Sequence, residues 1–388
     1  MADDDHTSRR ARPVSGSRNP NALREFRHVH TLGAMTRIDP TPAAPDPFHP
    51  PGRPTWLALG AEPVLEPGRP IVDAHHHLFD RPHWRYRDED LRRDVDAGHR
   101  VVATVYLQCG EAYRADGPAH LRPVGETEFV ESVARRSAQA GGVRMCAAIV
   151  GFADLTRGAA VEEVLHAHLA ASPARFRGIR HGAATDDDPA FVRQGARPRP
   201  ALLGSTEFRE GFARLAPLGL SFDAWMYHPQ LPGLVDLARA FPDTTIVLNH
   251  VGGPAGIGGY AGRRDEVFAQ WHASIRALAA CPNVVAKLGG LGMRFCGFGF
   301  ERREHPPDSA VLADAWRPYV SACIDAFGPA RCMFESNFPV DQCSCSYVAL
   351  WNAFKRIAAG CGEDEKASLF AGTAARVYRL DVPGASSV

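Results

Sequence analysis

The 388-residue sequence lacks a net charge and lacks long apolar runs. Lysine and arginine together number 44, as do aspartate and glutamate, so the formal charge is zero. A chain without a basic surplus is not expected to bind nucleic acid or an anionic membrane. No apolar stretch approaches the about 20 residues that cross a bilayer. The sequence therefore predicts a globular protein whose partner is a small molecule, with self-association into a homo-oligomer left open.

Paired cysteines are lacking as well. The nine cysteines are scattered, odd in number and form no C-x-x-C motif. Cys343 and Cys345 lie close together, but no histidines follow at zinc-finger spacing. No apolar segment follows Arg9-Arg10, so the start of the chain does not resemble a secretory or twin-arginine signal. These features favour a reduced, cytoplasmic setting.

The first part of the chain lacks a hydrophobic period. Residues 1–34 are polar, and residues 39–54 contain seven prolines. Such compositions are typical of disordered segments and of stiff, extended ones. We therefore predict a disordered, proline-rich N-terminal arm over residues 1–55, before a folded domain over residues 56–388. Met35 offers an alternative start.

A regular alternation of short apolar runs with helix-length amphipathic segments begins at Ile71. Eight strands with helical crossovers are typical of a (β/α)₈ TIM barrel, an α/β fold that takes about 250 residues. The alternative, an open doubly wound sheet, would carry a glycine-rich turn where His75-His76-His77 stands. The predicted strands are Ile71–His75, Val101–Cys109, Val143–Val150, Phe176–Arg180, Leu220–Trp225, Thr244–His250, Val284–Leu288 and Cys332–Ser336.

The first predicted strand ends in proton-handling side chains. Because strand side chains alternate between faces, Asp73, His75 and His77 are expected to form one column and His76 to point the opposite way. Two imidazoles on one face can share a metal ion or a substrate carbonyl. A His-x-His pair also occurs by chance in loops, so the remaining strand ends decide between the two interpretations.

Polar residues stand at the carboxyl ends of several other predicted strands. In a TIM barrel these ends meet at one mouth, where the active site lies. A single histidine there is more often structural, but convergence of many such groups indicates a site. The candidates are Gln108, Arg180, His181, His250, Lys287, Glu335, Asn337 and Asp341.

Five motifs in order resemble the amidohydrolase-related metal-dependent hydrolases of TIM-barrel fold. The similarity is greatest to the branch that holds the sugar-acid lactonases (L-fuconolactonase and L-rhamnonolactonase types) and pyrone dicarboxylate lactonase. It covers residues from about 70 to 380, and Gly372–Tyr378 also fits that branch. The motifs are Ile71–Leu78, Gly178–His181, Val247–Pro254, Lys287–Leu291 and Met333–Asp341.

The resemblance implies that His75, His77 and His250 bind a divalent metal such as zinc, or the substrate carbonyl directly in a metal-independent enzyme. Asn337 stands where many relatives carry the aspartate that acts as general base. An amide cannot accept a proton at useful pH, so this departure shifts the role to a nearby carboxylate. Asp341 is the preferred base, and Glu335 is the second candidate.

The sequence therefore predicts a hydrolase that opens the ester ring of a small lactone by attack of water on the carbonyl. Hydrolysis of a C–N bond, non-oxidative decarboxylation and sugar-acid binding without turnover are the alternatives. Arg180 is expected to clamp a carboxylate or a hydroxyl-rich substrate. The other predicted substrate-binding residues are His181, Asn337, Lys287 and Gln108.

One buried ion pair is also predicted. If Asn337 and Gly289 face the barrel mouth, Glu335 and Lys287 lie one layer below it on neighbouring strands. An isolated buried charge costs several kcal/mol, so the two should compensate each other. Asp73 is expected in the same layer.

Overall fold

The computed structural model describes residues 50–191 and 201–382, all of which belong to one compact unit. The predicted disorder over residues 1–34, and most of the predicted arm, lie outside the described residues. Within them, no helix combines the length and the apolar character needed to cross a membrane.

Eight parallel strands form the central sheet, each paired with the next in chain order. Their apolar, β-branched composition suits strands that are buried on both faces. A small antiparallel hairpin, β2 with β3, lies outside this sheet. The strands are β1 Ile71–His76, β2 Phe79–Arg81, β3 Trp84–Tyr86, β4 Val101–Leu107, β5 Arg144–Gly151, β6 Phe176–Ile179, β7 Ser221–Ala224, β8 Ile246–Leu248, β9 Val284–Leu288 and β10 Cys332–Phe334.

The sheet closes where β10 meets β1. The closing contacts lie just beyond the strand ends: the amide of Asn337 donates to the carbonyl of His75 at 2.8 Å, and that of His77 to the carbonyl of Phe338 at 2.7 Å. This closed, all-parallel arrangement confirms the predicted TIM barrel and rules out the open doubly wound sheet.

Helices connect the strands and cover the barrel. They are α1 Pro54–Leu57, α2 Asp88–Val95, α3 Val124–Ala140, α4 Glu162–Ala171, α5 Thr206–Phe212, α6 Leu231–Ala240, α7 Arg264–Ala279, α8 Ser309–Phe327, α9 Tyr347–Ile357, α10 Glu363–Ala367 and α11 Thr373–Val377.

Alternate strand residues divide the core into two parts. Outward-facing residues such as Phe334 pack against the helices; its ring stacks on that of Phe354 in α9 at 4.6 Å. Inward-facing residues such as Val285 and Met333 form a second cluster with alanines of the C-terminal segment and with Tyr378. The C-terminal segment thus fills the end of the barrel opposite the mouth.

Residues on both sides of the predicted boundary at position 55 contact the loop that follows β9. Trp56 in α1 is buried, and its Nε1 donates to the carbonyls of Arg303 and Glu304 at 3.1 and 3.0 Å. Arg53 donates to the carbonyl of Glu301 at 2.9 Å. The residues just before and after position 55 therefore hold the loop that follows β9.

Candidate active site

His75 and His77 point into the barrel mouth, and His76 points away from it. The Nε2 atoms of His75 and His77 are 3.2 Å apart. His76 instead lies 2.9 Å from the Thr104 hydroxyl. The three histidines therefore divide between the two faces of the strand as predicted.

The predicted position of Asp73 is wrong. Its carboxylate accepts hydrogen bonds from Ser336 Oγ at 2.6 Å and from Tyr347 Oη, on helix α9, at 3.0 Å. The pairing of β1 with β4 shifts register between Asp73 and His76. Because this irregularity interrupts the strict alternation of side chains, Asp73 faces the helices while His75 faces the mouth.

Glu335 joins His75 to His250. Its two carboxylate oxygens lie 2.8 Å from His75 Nδ1 and 2.7 Å from His250 Nδ1. The amide of His250 also donates to this carboxylate at 3.0 Å. His250 has a φ of 54°, a left-handed conformation that costs a non-glycine residue about 1–2 kcal/mol. The backbone hydrogen bond to Glu335 helps to hold it there.

Lys287 pairs with Asp223, not with Glu335 as predicted. Lys287 Nζ lies 2.8 Å from Asp223 Oδ1, and both side chains are fully buried. It is also 3.5 Å from His75 Nδ1. The prediction assumed a partner on the neighbouring strand, but the long lysine side chain extends past β8 to β7, and Glu335 is already engaged by two imidazoles.

Arg180 lies beside His75 at the mouth. Its Nη1 is 3.2 Å from His75 Nε2, and its Nη2 donates to the carbonyl of Gln108. The Gln108 amide donates in return to the carbonyl of Arg180 at 3.3 Å. Burial lowers the pKa of Arg180, but a guanidinium keeps its charge throughout the ordinary pH range. The two residues therefore present one fixed positive charge.

His181 lies apart from this cluster. Its Nδ1 accepts a hydrogen bond from the amide of Leu155 at 3.3 Å, and its ring packs edge-on against Phe152. These contacts place it beside the loop after β5. Its predicted role in substrate binding stays a prediction.

Asn337 and Asp341 form a separate unit at the same end of the barrel. Asn337 Nδ2 donates to Asp341 Oδ1 at 2.7 Å, and the amide of Gly292 donates to Oδ2 at 2.9 Å. Burial raises the pKa of Asp341 to about 8. A carboxyl group with that pKa exchanges a proton near neutral pH, as a general base must.

The central imidazoles are neutral at physiological pH. Burial lowers the pKa of His75 and of His77 well below the ordinary value, and nearby cations act in the same direction. Burial also lowers the pKa of His250, although Glu335 opposes that shift. Neutral imidazoles have a free lone pair, so they can bind a metal ion or accept a proton.

This cluster has more lone pairs than protons. His77 Nδ1 lies 2.8 Å from the carbonyl of Leu107 and must carry the proton, which leaves a lone pair on Nε2. If His75 carries its proton on Nδ1, toward Glu335, two Nε2 lone pairs face each other at 3.2 Å. If the proton is on Nε2, a lone pair faces the carboxylate and the Nε2 proton faces Arg180. The first tautomer leaves one repulsive contact, and the second leaves two.

A divalent ion held by His75 and Glu335 would relieve the contact between the His75 lone pair and the carboxylate. Ligand atoms of His75, His250 and Glu335 lie within 4.8 Å of one another. Glu335 Oε2 is buried without a well-directed hydrogen bond among the described residues. Two imidazoles and one carboxylate are a common ligand set of zinc. The residues present therefore fit one ion. The sequence analysis named His75, His77 and His250 as its ligands, whereas the structure groups His75 and His250 with Glu335.

Sequence reasoning missed two residues next to this cluster. Asp223 is the partner of Lys287, and the ring of Trp225 lies 4.9 Å from that of His250, edge to face. The signal for Asp223 was present, because an aspartate in the middle of an apolar predicted strand needs a buried partner. Trp225 carried no such signal.

Comparison with known proteins places the chain in a family. Residues 72–380 match the Amidohydrolase family. The chain belongs to this family, and it is an enzyme of the amidohydrolase superfamily.

Three individual proteins of known sequence or structure are similar to this chain. The chain is 30% identical to an L-fucono-1,5-lactonase of Burkholderia multivorans, with 80% of this chain and 97% of the relative covered. It is 33% identical to the uncharacterized protein y4mH of Sinorhizobium fredii, over 80% of this chain and 98% of that protein. A crystal structure of a Burkholderia multivorans amidohydrolase with bound zinc is 26% identical, with a TM-score of 0.63, and covers 80% of this chain and 99% of that one.

Proposed function

We propose that the protein is a lactonase, which opens the ester ring of a small sugar-acid or carboxylated lactone. The single observation that carries this proposal is the cluster of neutral imidazoles, a carboxylate and a fixed guanidinium at one barrel mouth. Two relatives that are L-fucono-1,5-lactonases, 30% and 32% identical, support the choice of an ester ring over other hydrolysable bonds.

The Arg180 guanidinium at the barrel mouth binds the substrate. Arg180 is held by Gln108 and offers its charge to a carboxylate or to ring hydroxyls. The residue is 7% exposed, so only a small part of it is open to a ligand. Lys287 is fully buried, and it supports His75 from below rather than meeting the substrate.

The reaction is an acyl transfer to water. When bound, a zinc ion held by His75, His250 and Glu335 supplies Lewis-acid polarisation of the lactone carbonyl. The guanidinium of Arg180 stabilises negative charge that develops on the carbonyl oxygen, and His77, whose Nε2 has a lone pair, can accept a hydrogen bond from water or from a substrate hydroxyl.

Proton transfer is assigned to Asp341. The oxygen of a water molecule bonds to the carbonyl carbon, and the proton of that water passes to the Asp341 carboxylate. The bond from the carbonyl carbon to the ring oxygen then breaks, and the ring oxygen takes the proton back from Asp341 to become a hydroxyl. An amide cannot itself accept the proton, so Asn337 is not the base. Its side-chain amide donates a hydrogen bond to Asp341 and so positions that carboxylate.

A substrate panel tests the proposal. Aldonolactones and carboxylated, unsaturated lactones are assayed by acid release, with and without a chelator, while the metal content of the protein is measured. Turnover of lactones alone is the expected result. The panel also contains cyclic amides and aromatic carboxylic acids, and preferential amide hydrolysis or release of carbon dioxide would overturn the proposal.

A further inference from the structure

A tyrosine near the C-terminus donates a hydrogen bond inside the barrel. Tyr378 follows helix α11 and is fully buried. Its Oη lies 3.0 Å from Asp223 Oδ1 and 3.3 Å from Oδ2. Neither the binding of the substrate nor the proposed proton transfer uses this hydroxyl.

The contact continues from Asp223 to the catalytic cluster. Asp223 Oδ1 also accepts from Lys287 Nζ at 2.8 Å, and Lys287 Nζ lies 3.5 Å from His75 Nδ1. The ring of Tyr378 provides a second contact, because Lys287 Nζ lies 5.3 Å from its centroid. Tyr378 therefore contacts both members of the ion pair that lies directly beneath His75.

A purely space-filling role does not account for the hydroxyl. Tyr378 belongs to an apolar cluster inside the barrel that also contains Val285, Met333 and three alanines of the C-terminal segment. A phenylalanine would fill the same volume, and a buried hydroxyl is unfavourable unless it has a hydrogen-bond partner. The partner here is the carboxylate that balances the Lys287 charge.

The ion pair depends on its surrounding donors for its position. Asp223 Oδ1 receives Lys287, Asn249 Nδ2 at 3.0 Å and Tyr378, which come from β9, the end of β8 and the C-terminal segment. Loss of one donor lets the carboxylate turn toward the remaining two. The ammonium follows the carboxylate because a separated buried pair is unfavourable.

We propose that Tyr378 is a positioning residue of the active site. It holds Asp223, and through Asp223 the Lys287 ammonium, at a fixed place beneath His75. The C-terminal segment is thus part of the site and not only the closure of the barrel. The kinetic test of this inference rests on the proposed lactonase function, and its structural test does not.

The experiment compares Tyr378→Phe with Tyr86→Phe. Tyr86 is also buried, and its Oη donates to Asp94 Oδ2 at 2.6 Å, but this pair joins the β2–β3 hairpin to α2 and has no contact with Asp223 or Lys287 among the described residues. Both variants lose one tyrosine–aspartate hydrogen bond, so both should show a lower melting temperature. Only Tyr378→Phe should lower kcat, by about tenfold, the lower end of the range for residues that orient a site residue. KM should stay within about twofold, because the guanidinium that binds the substrate is untouched.

Crystal structures of both variants give a readout that needs no substrate. In Tyr378→Phe the distance from Lys287 Nζ to His75 Nδ1 should change, and in Tyr86→Phe it should not. Asp223→Asn is the second variant, since it keeps the acceptor but removes the charge, and it should shift Lys287 as well.

Three results would overturn the inference: equal kcat values in the two tyrosine variants, a change in KM alone, or an unchanged Lys287 position in both Tyr378→Phe and Asp223→Asn. If no lactone is turned over, the proposed function fails, and the Lys287 position still decides the role of Tyr378.

Discussion

His75 and His76 are adjacent in sequence and opposite in surroundings, so they provide a matched test of the site. His75 contacts Glu335, Arg180 and His77, whereas His76 Nε2 lies 2.9 Å from the Thr104 hydroxyl. His75→Ala should lower kcat/KM by about a hundredfold or more, the range for lost electrostatic stabilisation. His76→Ala should mainly lower the melting temperature, because it leaves a cavity. Equal losses of activity in the two variants would contradict the assignment.

Asp341 should make stability depend on pH. Its pKa is raised by burial from 3.8 to about 8 in the folded protein. Below about pH 4 the carboxyl group is protonated in both states. As the pH rises toward 8, the unfolded chain releases the proton first, so the folded state loses stability, by at most about 1.4 kcal/mol per pH unit. Relative to Asp341→Asn, the wild-type protein should therefore lose free energy of unfolding between pH 5 and pH 8, as measured by urea denaturation.

The same residue should shape the pH dependence of the rate. If Asp341 accepts the proton from water, kcat/KM of the wild-type protein rises with pH and levels off above about pH 8. Asp341→Asn should flatten this rise, and Asn337→Ala should lower the rate without removing it. A wild-type profile in Asp341→Asn would transfer the role of base to Glu335.

Residue identity was easier to predict from the sequence than residue contacts. The strand-end candidates were found because polar groups at the ends of apolar runs are conspicuous. The orientation of Asp73 and the partner of Lys287 were predicted wrongly. The first depends on an irregularity between Asp73 and His76, and the second on the reach of a side chain across β8. Neither the irregularity nor the reach leaves a pattern in the sequence.

At the scale of elements, the strands were predictable because each barrel strand is an apolar run bounded by polar or glycine-rich residues. All eight predicted strands are present, with ends that differ by a few residues. The hairpin of β2 and β3 was missed, since strands of three residues show no period and Pro82-His83 between them resembles an ordinary loop.

The pair of Lys287 and Asp223 connects β9 to β7, and a double-mutant cycle should detect it. Lys287→Met and Asp223→Asn should each destabilise the fold by about 3–5 kcal/mol, because each leaves a partner uncompensated in the barrel interior. The double variant should lose much less than the sum of the two. Free energies of unfolding from denaturant titrations measure this difference, and simple additivity would show that the two groups do not interact.

For the whole molecule, the place where the folded domain begins can be tested by truncation. A chain that starts at residue 50 keeps α1 and should melt like the full-length chain, because the composition before that point offers little to bury. A chain that starts at residue 68 loses the buried Trp56 and the segment 62–66, which Asn352 and Lys355 hold through hydrogen bonds at 2.6–2.9 Å. Its melting temperature should fall markedly. Equal melting of the two shortened chains would contradict this view.

The seam between β1 and β10 has a consequence for the synthesis of the protein. The bond from Ser336 to Asp73 joins residues 263 positions apart, and the hydrogen bonds from Asn337 and His77 that close the barrel join the same two ends of the chain. On the ribosome, β1 can pair with β10 only after nearly the entire polypeptide has emerged. Contacts of such long range form slowly and late. In a nascent chain that stalls before β10, His75 and His77 would therefore have no barrel mouth around them. Catalytic activity should appear only in the final stage of translation.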